Sequence, residues 1–180
     1  MIIPRQIYCS NCGEQVVYKI AEGRERSVCE HCNTIHYTNP KIVAGALCVW
    51  ENKVLLCRRA IEPRKGYWNL PAGYLEDFEK VEDGAIRETW EEAGAEICID
   101  KVITVYNIPQ ANQVYVHFLA NLKDGIIRNG EESIESALFT EEEIPWNEMA
   151  FTSSSFALRH YFEDRKKGVY NTHLGTFPEK

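Results

Sequence analysis

Gly73-Tyr74-Leu75-Glu76-Asp77-Phe78-Glu79, then, after seven intervening residues, Arg87-Glu88-Thr89-Trp90-Glu91-Glu92-Ala93-Gly94-Ala95, is the stretch that decides how this chain is read. On a helix of about 3.6 residues per turn, Glu88, Glu91 and Glu92 stand at i, i+3 and i+4 and share one face. Like charges so placed destabilise a lone helix by roughly 0.2–0.5 kcal/mol per pair. The spacing predicts a helix over 79–93, stopped by Gly94 in the left-handed conformation. Val81, Ala85, Ile86, Thr89, Trp90 and Ala93 are expected on the other side, against a sheet. The acidic face has two readings: a solvated surface, or hard oxygen ligands for Mg²⁺ or Mn²⁺.

Working outward, Ile42–Trp50 is a continuous apolar run that predicts a buried strand, and Val54–Cys57 follows it across a Glu51-Asn52-Lys53 turn. Further strands are expected at 97–106, 113–122 and 136–139. A closing helix is expected over Ser153–Asp164, capped by Ser or Thr. The last dozen residues, from Gly168, read as loosely held. No stretch is long and apolar enough for a membrane helix. Met1–Gln6 lacks a basic segment leading into an apolar run, so no secretory leader is expected and a cytoplasmic location is the default.

The formal net charge is −7, from 27 Asp and Glu against 20 Lys and Arg. That balance argues against sequence-independent binding of long nucleic acid. It leaves room for small phosphorylated ligands bridged by divalent cations. Seven cysteines do not make a disulfide framework. Four of them, Cys9-x2-Cys12 and Cys29-x2-Cys32, have the spacing of a tetrahedral zinc site, with disulfides or a redox-active pair as the alternatives. With four thiolates the site is closed and structural. Cys48, Cys57 and Cys98 are expected as small buried apolar residues.

The pattern G-x5-E-x7-R-E-U-x-E-E-x-G-U is matched at Gly73, Glu79, Arg87, Glu88, Glu91, Glu92 and Gly94. With each residue type near 7% abundance, seven fixed matches arise by chance about once in 10⁸ start positions. Thr89 and Ala95 stand where a bulkier aliphatic is usual, a departure that touches packing more than chemistry. The chain therefore resembles the Nudix hydrolases, and Leu70-Pro71-Ala72 and Glu143-Ile144-Pro145-Trp146 are similar to that family's flanking patterns.

The resemblance implies an α/β/α sandwich around a mixed sheet, preceded by a zinc ribbon, with the ribbon over 1–38 and the hydrolase domain over 39–180. It implies metal-dependent hydrolysis of a nucleoside diphosphate linked to another moiety. Glu88, Glu91 and Glu92 would hold magnesium, with Glu79 completing the metal environment. Arg87 would hold the loop through an acid, and Gly73 would let the backbone approach the cluster. The proton acceptor is a box glutamate or one of Glu131, Glu132 and Glu135. Arg58 and Arg59 are candidate phosphate contacts, and Tyr106 and Tyr115 candidate stacking surfaces for a ring.

A zinc ribbon before such a domain is similar to the NADH, FAD and ADP-ribose pyrophosphatases. The segment S-Q-P-W-P-F-P-x-S of the NADH enzymes is missing from Val105–Asn112, while Pro109 lies 15 residues past Gly94, as in ADP-ribose hydrolases. FAD or ADP-ribose is thus expected before NADH, with AMP released. Removal of a nucleotide cap from RNA and a nucleotide-sensing module are the other readings. The ribbon has three roles open to it: homodimerisation, a substrate lid, or stabilisation.

Overall fold

The computed structural model describes residues 6–178. Met1–Arg5, on which the expectation of no leader mostly rests, and the last two residues lie outside the described residues. The chain divides into two compact units: one runs to Pro40 and includes Gln110–Asn112, and the other holds the remainder.

The first unit carries a three-stranded antiparallel sheet of β1 (Val17–Ala21), β2 (Arg24–Val28) and β3 (Ile35–His36). Among its described residues only Cys9, Ser27, Val28 and Cys29 are buried, and Ile7, Tyr8 and Ile20 are exposed. A unit with so little apolar burial depends on a staple.

The second unit is built on β4 (Lys41–Trp50), β5 (Lys53–Arg59), β6 (Trp68–Asn69), β7 (Ala72–Tyr74), helix α1 (Val81–Ala93), β8 (Ile97–Ile108), β9 (Gln113–Leu122), β10 (Ser133–Phe139), helix α2 (Thr152–Lys167) and β11 (His173–Thr176). The main sheet runs β10-β5-β4-β9-β8-β11, with β6 alongside β5 and β7 alongside β4. Its β4–β9 and β8–β11 pairs are parallel and the others antiparallel, so the sheet is mixed.

Period-two alternation separates two cores. Ala44, Ala46 and Cys48 of β4, with Leu55, Cys57, Phe118 and Ala120, pack against Ala85 and Ala93 of α1. Leu47, Val54, Leu56 and Leu119 face the opposite way, against Ala157, Leu158, Tyr161 and Phe162 of α2. Burial on both sides explains why β4 reads as an unbroken apolar run. Among the described residues no helix is long and apolar enough to cross a membrane.

Several expectations need correction. Trp90 and Ile86 are 55% and 39% exposed, so the buried stripe of α1 is narrow: Gly84, Ala85, Thr89, Glu92 and Ala93. The small side chains at 85, 89 and 93 let the helix lie close to the sheet. Cys98 is exposed, because it points outward on β8. The N-cap of α2 is Phe151, with no side-chain cap bond, and Thr152 already lies in the first turn.

The tail is not loose. β11 pairs in parallel with β8, and the buried Asp164 carboxylate accepts bonds from the Asn171 amide at 2.8 Å and from His173 Nε2 at 2.7 Å. Burial raises the Asp164 pKa, but those donors more than offset it and leave the carboxyl below its ordinary value.

Gly45 in β4 shows how tightly the loop before α1 is laid on the sheet. A Cβ there would stand 2.9 Å from the Pro71 carbonyl oxygen, a backbone atom that cannot swing away. Gly45→Ala is expected to lower stability by about 1–3 kcal/mol through this overpacking, read as a lower denaturant midpoint with an unchanged slope.

Candidate active site and cysteine cluster

The site is assembled where β7 passes into the loop before α1. Gly94 caps the helix in the left-handed region (φ 54°), its amide bonding to the Trp90 carbonyl. The three glutamates of the helix differ in burial. The Glu92 residue is 8% exposed, while the Glu88 and Glu91 side chains are 13% and 54% exposed.

Arg87 organises them. Its Nε donates to Glu79 Oε1 at 2.8 Å and one Nη to Glu79 Oε2 at 2.9 Å. The same Nη reaches the Tyr74 carbonyl at 3.0 Å, and the other reaches Glu88 at 2.6 Å and Glu91 at 3.0 Å. All five guanidinium N–H groups are thereby engaged. Hydrogen bonds from Arg87 hold the Glu79 carboxyl below its ordinary range, helped by the Glu76 contact. Glu88 moves the other way, raised by burial more than Arg87 lowers it.

Gly73 lies directly under the Glu88 carboxylate, in space that a Cβ would fill. Glu92 has little help: its Oε1 accepts a long bond of 3.4 Å from the Ala72 amide. Burial therefore lifts its pKa to about 8, with the charge of Glu88 adding to the effect. A buried carboxyl with one weak donor, within the electrostatic reach of Glu88 and Glu132, has the hard-oxygen chemistry that a divalent cation takes.

Of the three acids considered on the later loop, Glu132 is the one whose charge is felt by both Glu88 and Glu92. Glu135 instead pairs with Arg58 at 3.9 Å. The loop is docked on the end of α1 by the Arg128 amide on Ala93 O (2.6 Å) and the Gly130 amide on Glu92 O (3.0 Å). A Cβ at Gly130 would overlap the Glu91 carbonyl. Sequence reasoning missed Gly130, and its only local signal is the Asn129-Gly130 pair before two glutamates.

Arg58 donates through Nε to Gly66 O (2.9 Å) and is engaged within its own loop. Arg59 is anchored through Nε to Pro63 O (2.8 Å), lies over the Phe151 ring, and bears electrostatically on Glu92. Tyr106 is a correction: it is fully buried against Phe156 and has no face for a ligand. Tyr115 is half-buried and stacks beside His117.

In the first unit, the sulfurs of Cys9, Cys12, Cys29 and Cys32 all lie within 4.8 Å of one another. Cys9 to Cys32 is 3.6 Å and Cys12 to Cys29 is 3.5 Å. Four sulfurs about 2.3 Å from a tetrahedral Zn²⁺ stand roughly 3.8 Å apart, so the cluster fits that ion closely. Hydrogen bonds from Thr34, first its hydroxyl and then its amide, hold the Cys32 thiol at about 5, ready as a thiolate. Among the described residues these four are the one such metal-sized cluster.

Comparison with known proteins agrees with this geometry. The NUDIX domain model matches residues 39–160, and the Nudix N-terminal zinc-ribbon model matches 8–38. The chain is similar to an ADP-ribose pyrophosphatase of Methanocaldococcus jannaschii, at 27% identity over 61% of this chain and 67% of that one. It is also similar to the NAD-capped RNA hydrolase NudC of Pseudomonas aeruginosa, at 31% identity over 72% of this chain. It spans about half the length of that relative, 46%. A crystal structure of a NUDIX hydrolase from Nitrosomonas europaea superposes with a TM-score of 0.92 at 46% identity, covering 96% of this chain and 99% of that one. With the family model spanning well over half the sequence and the box folded as loop and helix on a mixed sheet, the chain belongs to the Nudix hydrolase family and carries that family's N-terminal zinc ribbon.

Proposed function

We propose that the protein hydrolyses the pyrophosphate bond of a nucleoside diphosphate joined to a second moiety, with ADP-ribose the leading substrate and FAD the next. The observation that carries this reading is the fan of Glu79, Glu88 and Glu91 around Arg87, with Glu88 over the bare backbone of Gly73 and the buried Glu92 on the same helix face. When bound by Glu88, Glu91 and Glu92, Mg²⁺ or Mn²⁺ supplies charge neutralisation and polarisation of the phosphate oxygens.

The chain's own residues do the rest. Arg87 fixes the carboxylate positions and does not touch substrate. Arg59, held at Nε, keeps its outer N–H groups for a phosphate oxygen. Glu132 takes the proton of the attacking water, whose oxygen joins one phosphorus as the bridging P–O bond breaks. AMP and a phosphorylated second moiety leave. We assign residues 1–38 to the ribbon and 39–180 to the hydrolase domain, and place the protein in the cytoplasm, where thiols stay reduced for zinc.

A second reading, hydrolysis of NADH or of an NAD cap on RNA, is favoured by the similarity to NudC. The net charge of −7 and the sequence of Val105–Asn112 count against it.

With Mg²⁺ or Mn²⁺ and a panel of ADP-ribose, FAD, NADH and NAD-capped RNA, the expected result is AMP release from ADP-ribose or FAD that disappears in Glu91→Gln. Preferential turnover of NADH or capped RNA would transfer the assignment to the second reading. Glu92→Gln is expected to abolish turnover while stabilising the protein, before divalent cation is added, by roughly 1 kcal/mol or more, because above about pH 4.5 folding makes the Glu92 carboxyl take up a proton, a cost that glutamine does not carry and that grows as pH rises toward 8; a lower Tm for this variant at pH 8 would contradict that account. Cys32→Ser is expected to lose the one zinc per chain that atomic absorption should find in the parent protein. Retention of full zinc in that variant would remove Cys32 from the ligand set.

A further inference from the structure

Beside the carboxylates lies a string of polar groups that the hydrolytic reading does not use. In register, Val43 of β4 is flanked by Tyr74 of β7 on one side and Tyr115 of β9 on the other, and Lys41 pairs with Gln113. Gln113 Nε2 donates to the Tyr74 hydroxyl at 2.7 Å, and the Tyr115 hydroxyl donates to Gln113 Oε1 over a long 3.5 Å. Lys41 Nζ sits 4.8 Å from the centre of the Tyr74 ring, which pins the ring by a cation–π contact. The Tyr74 carbonyl is itself held by Arg87, so the string is anchored to the box.

Two consequences follow from this arrangement. Tyr74 remains 48% exposed, leaving aromatic surface for a planar ring. A side-chain amide has two N–H donors and two carbonyl lone pairs. The two phenols engage one of each, so one donor and one acceptor remain on an amide that is no longer free to rotate. A donor beside an acceptor on a glutamine is the complement of adenine, whose N7 accepts and whose N6 donates. Guanine presents acceptors at both positions and would leave the Gln113 carbonyl facing O6 without a hydrogen.

We propose that Gln113, clamped between Tyr74 and Tyr115, is the specificity-determining residue that selects an adenine base stacked on Tyr74. The inference deepens the assignment of an adenine-containing diphosphate and rests on it for physiological meaning, but it can be tested without catalysis. The probes are AMP and GMP, titrated calorimetrically into the full chain without added divalent cation. Two variants keep the test open should one fail to fold: Gln113→Leu, of similar volume without the polar end, and Gln113→Glu, which replaces the donor with a second acceptor.

A good bidentate pair discriminates between bases by about tenfold to a hundredfold. The parent protein is therefore expected to prefer AMP over GMP by at least about tenfold. Both variants should lose that preference by weakening AMP while leaving GMP nearly unchanged. Equal affinity of the parent for both nucleotides, or a preference retained in a folded variant, overturns the proposal. In parallel, KM for ADP-ribose should rise in Gln113→Leu with kcat little altered. Discrimination that depends on Gln113 in a protein without turnover would sink the hydrolase and leave adenine selection standing. Turnover with an unchanged KM in the variant would do the reverse.

Discussion

Arg87 has five N–H groups, and each meets an oxygen: two on Glu79, one each on Glu88 and Glu91, and the carbonyl of Tyr74. Without that cation, the loop before α1 would bring Glu79 toward three further carboxylates with nothing to oppose the repulsion. With it, the loop is tied to the second turn of the helix, and Glu88 and Glu91 are held apart at defined positions. A lysine offers a compact point charge and three donors, and could not span these acceptors in one plane. Close packing then follows: Gly73 leaves room for Glu88, and Gly45 leaves room for Pro71 and Ala72.

Glu92 stands outside this fan, and there lies a tension between stability and chemistry. Its carboxyl is buried with one long hydrogen bond, and its neighbours Glu88 and Glu132 carry the same sign. Folding the chain puts this group where ionisation is unfavourable, so its proton leaves only at high pH unless a cation takes its place. Functional sites are where such local disagreements with folding are concentrated.

Much of this was legible in the residues. The spacing of Glu88, Glu91 and Glu92 located the helix and its acidic face, and Gly94 located its end, because both depend on local periodicity and backbone preference. The strands β4, β5 and β9 were visible for the same reason. What escaped was decided by tertiary contacts. Trp90 and Ile86 look like core residues, but the narrow contact made by Ala85, Thr89 and Ala93 leaves them outside. Tyr106 looks like a ligand platform until β11 and Phe156 cover it. The tail after Gly168 looks unstructured because its anchors, the pairing of β11 with β8 and one buried aspartate on α2, are contacts that no local pattern announces.

That tail has a bearing on how the protein is handled. β8 is twelve residues long, and β11 covers the stretch Thr104–Asn107 on its outer side. Trimming the chain after α2 would bare the backbone amides and carbonyls of that stretch, lengthening the open sheet edge of the kind that recruits strands from other molecules. The short C-terminal strand thus shields part of that edge, and a chain shortened after α2 is expected to pair strands between molecules more readily.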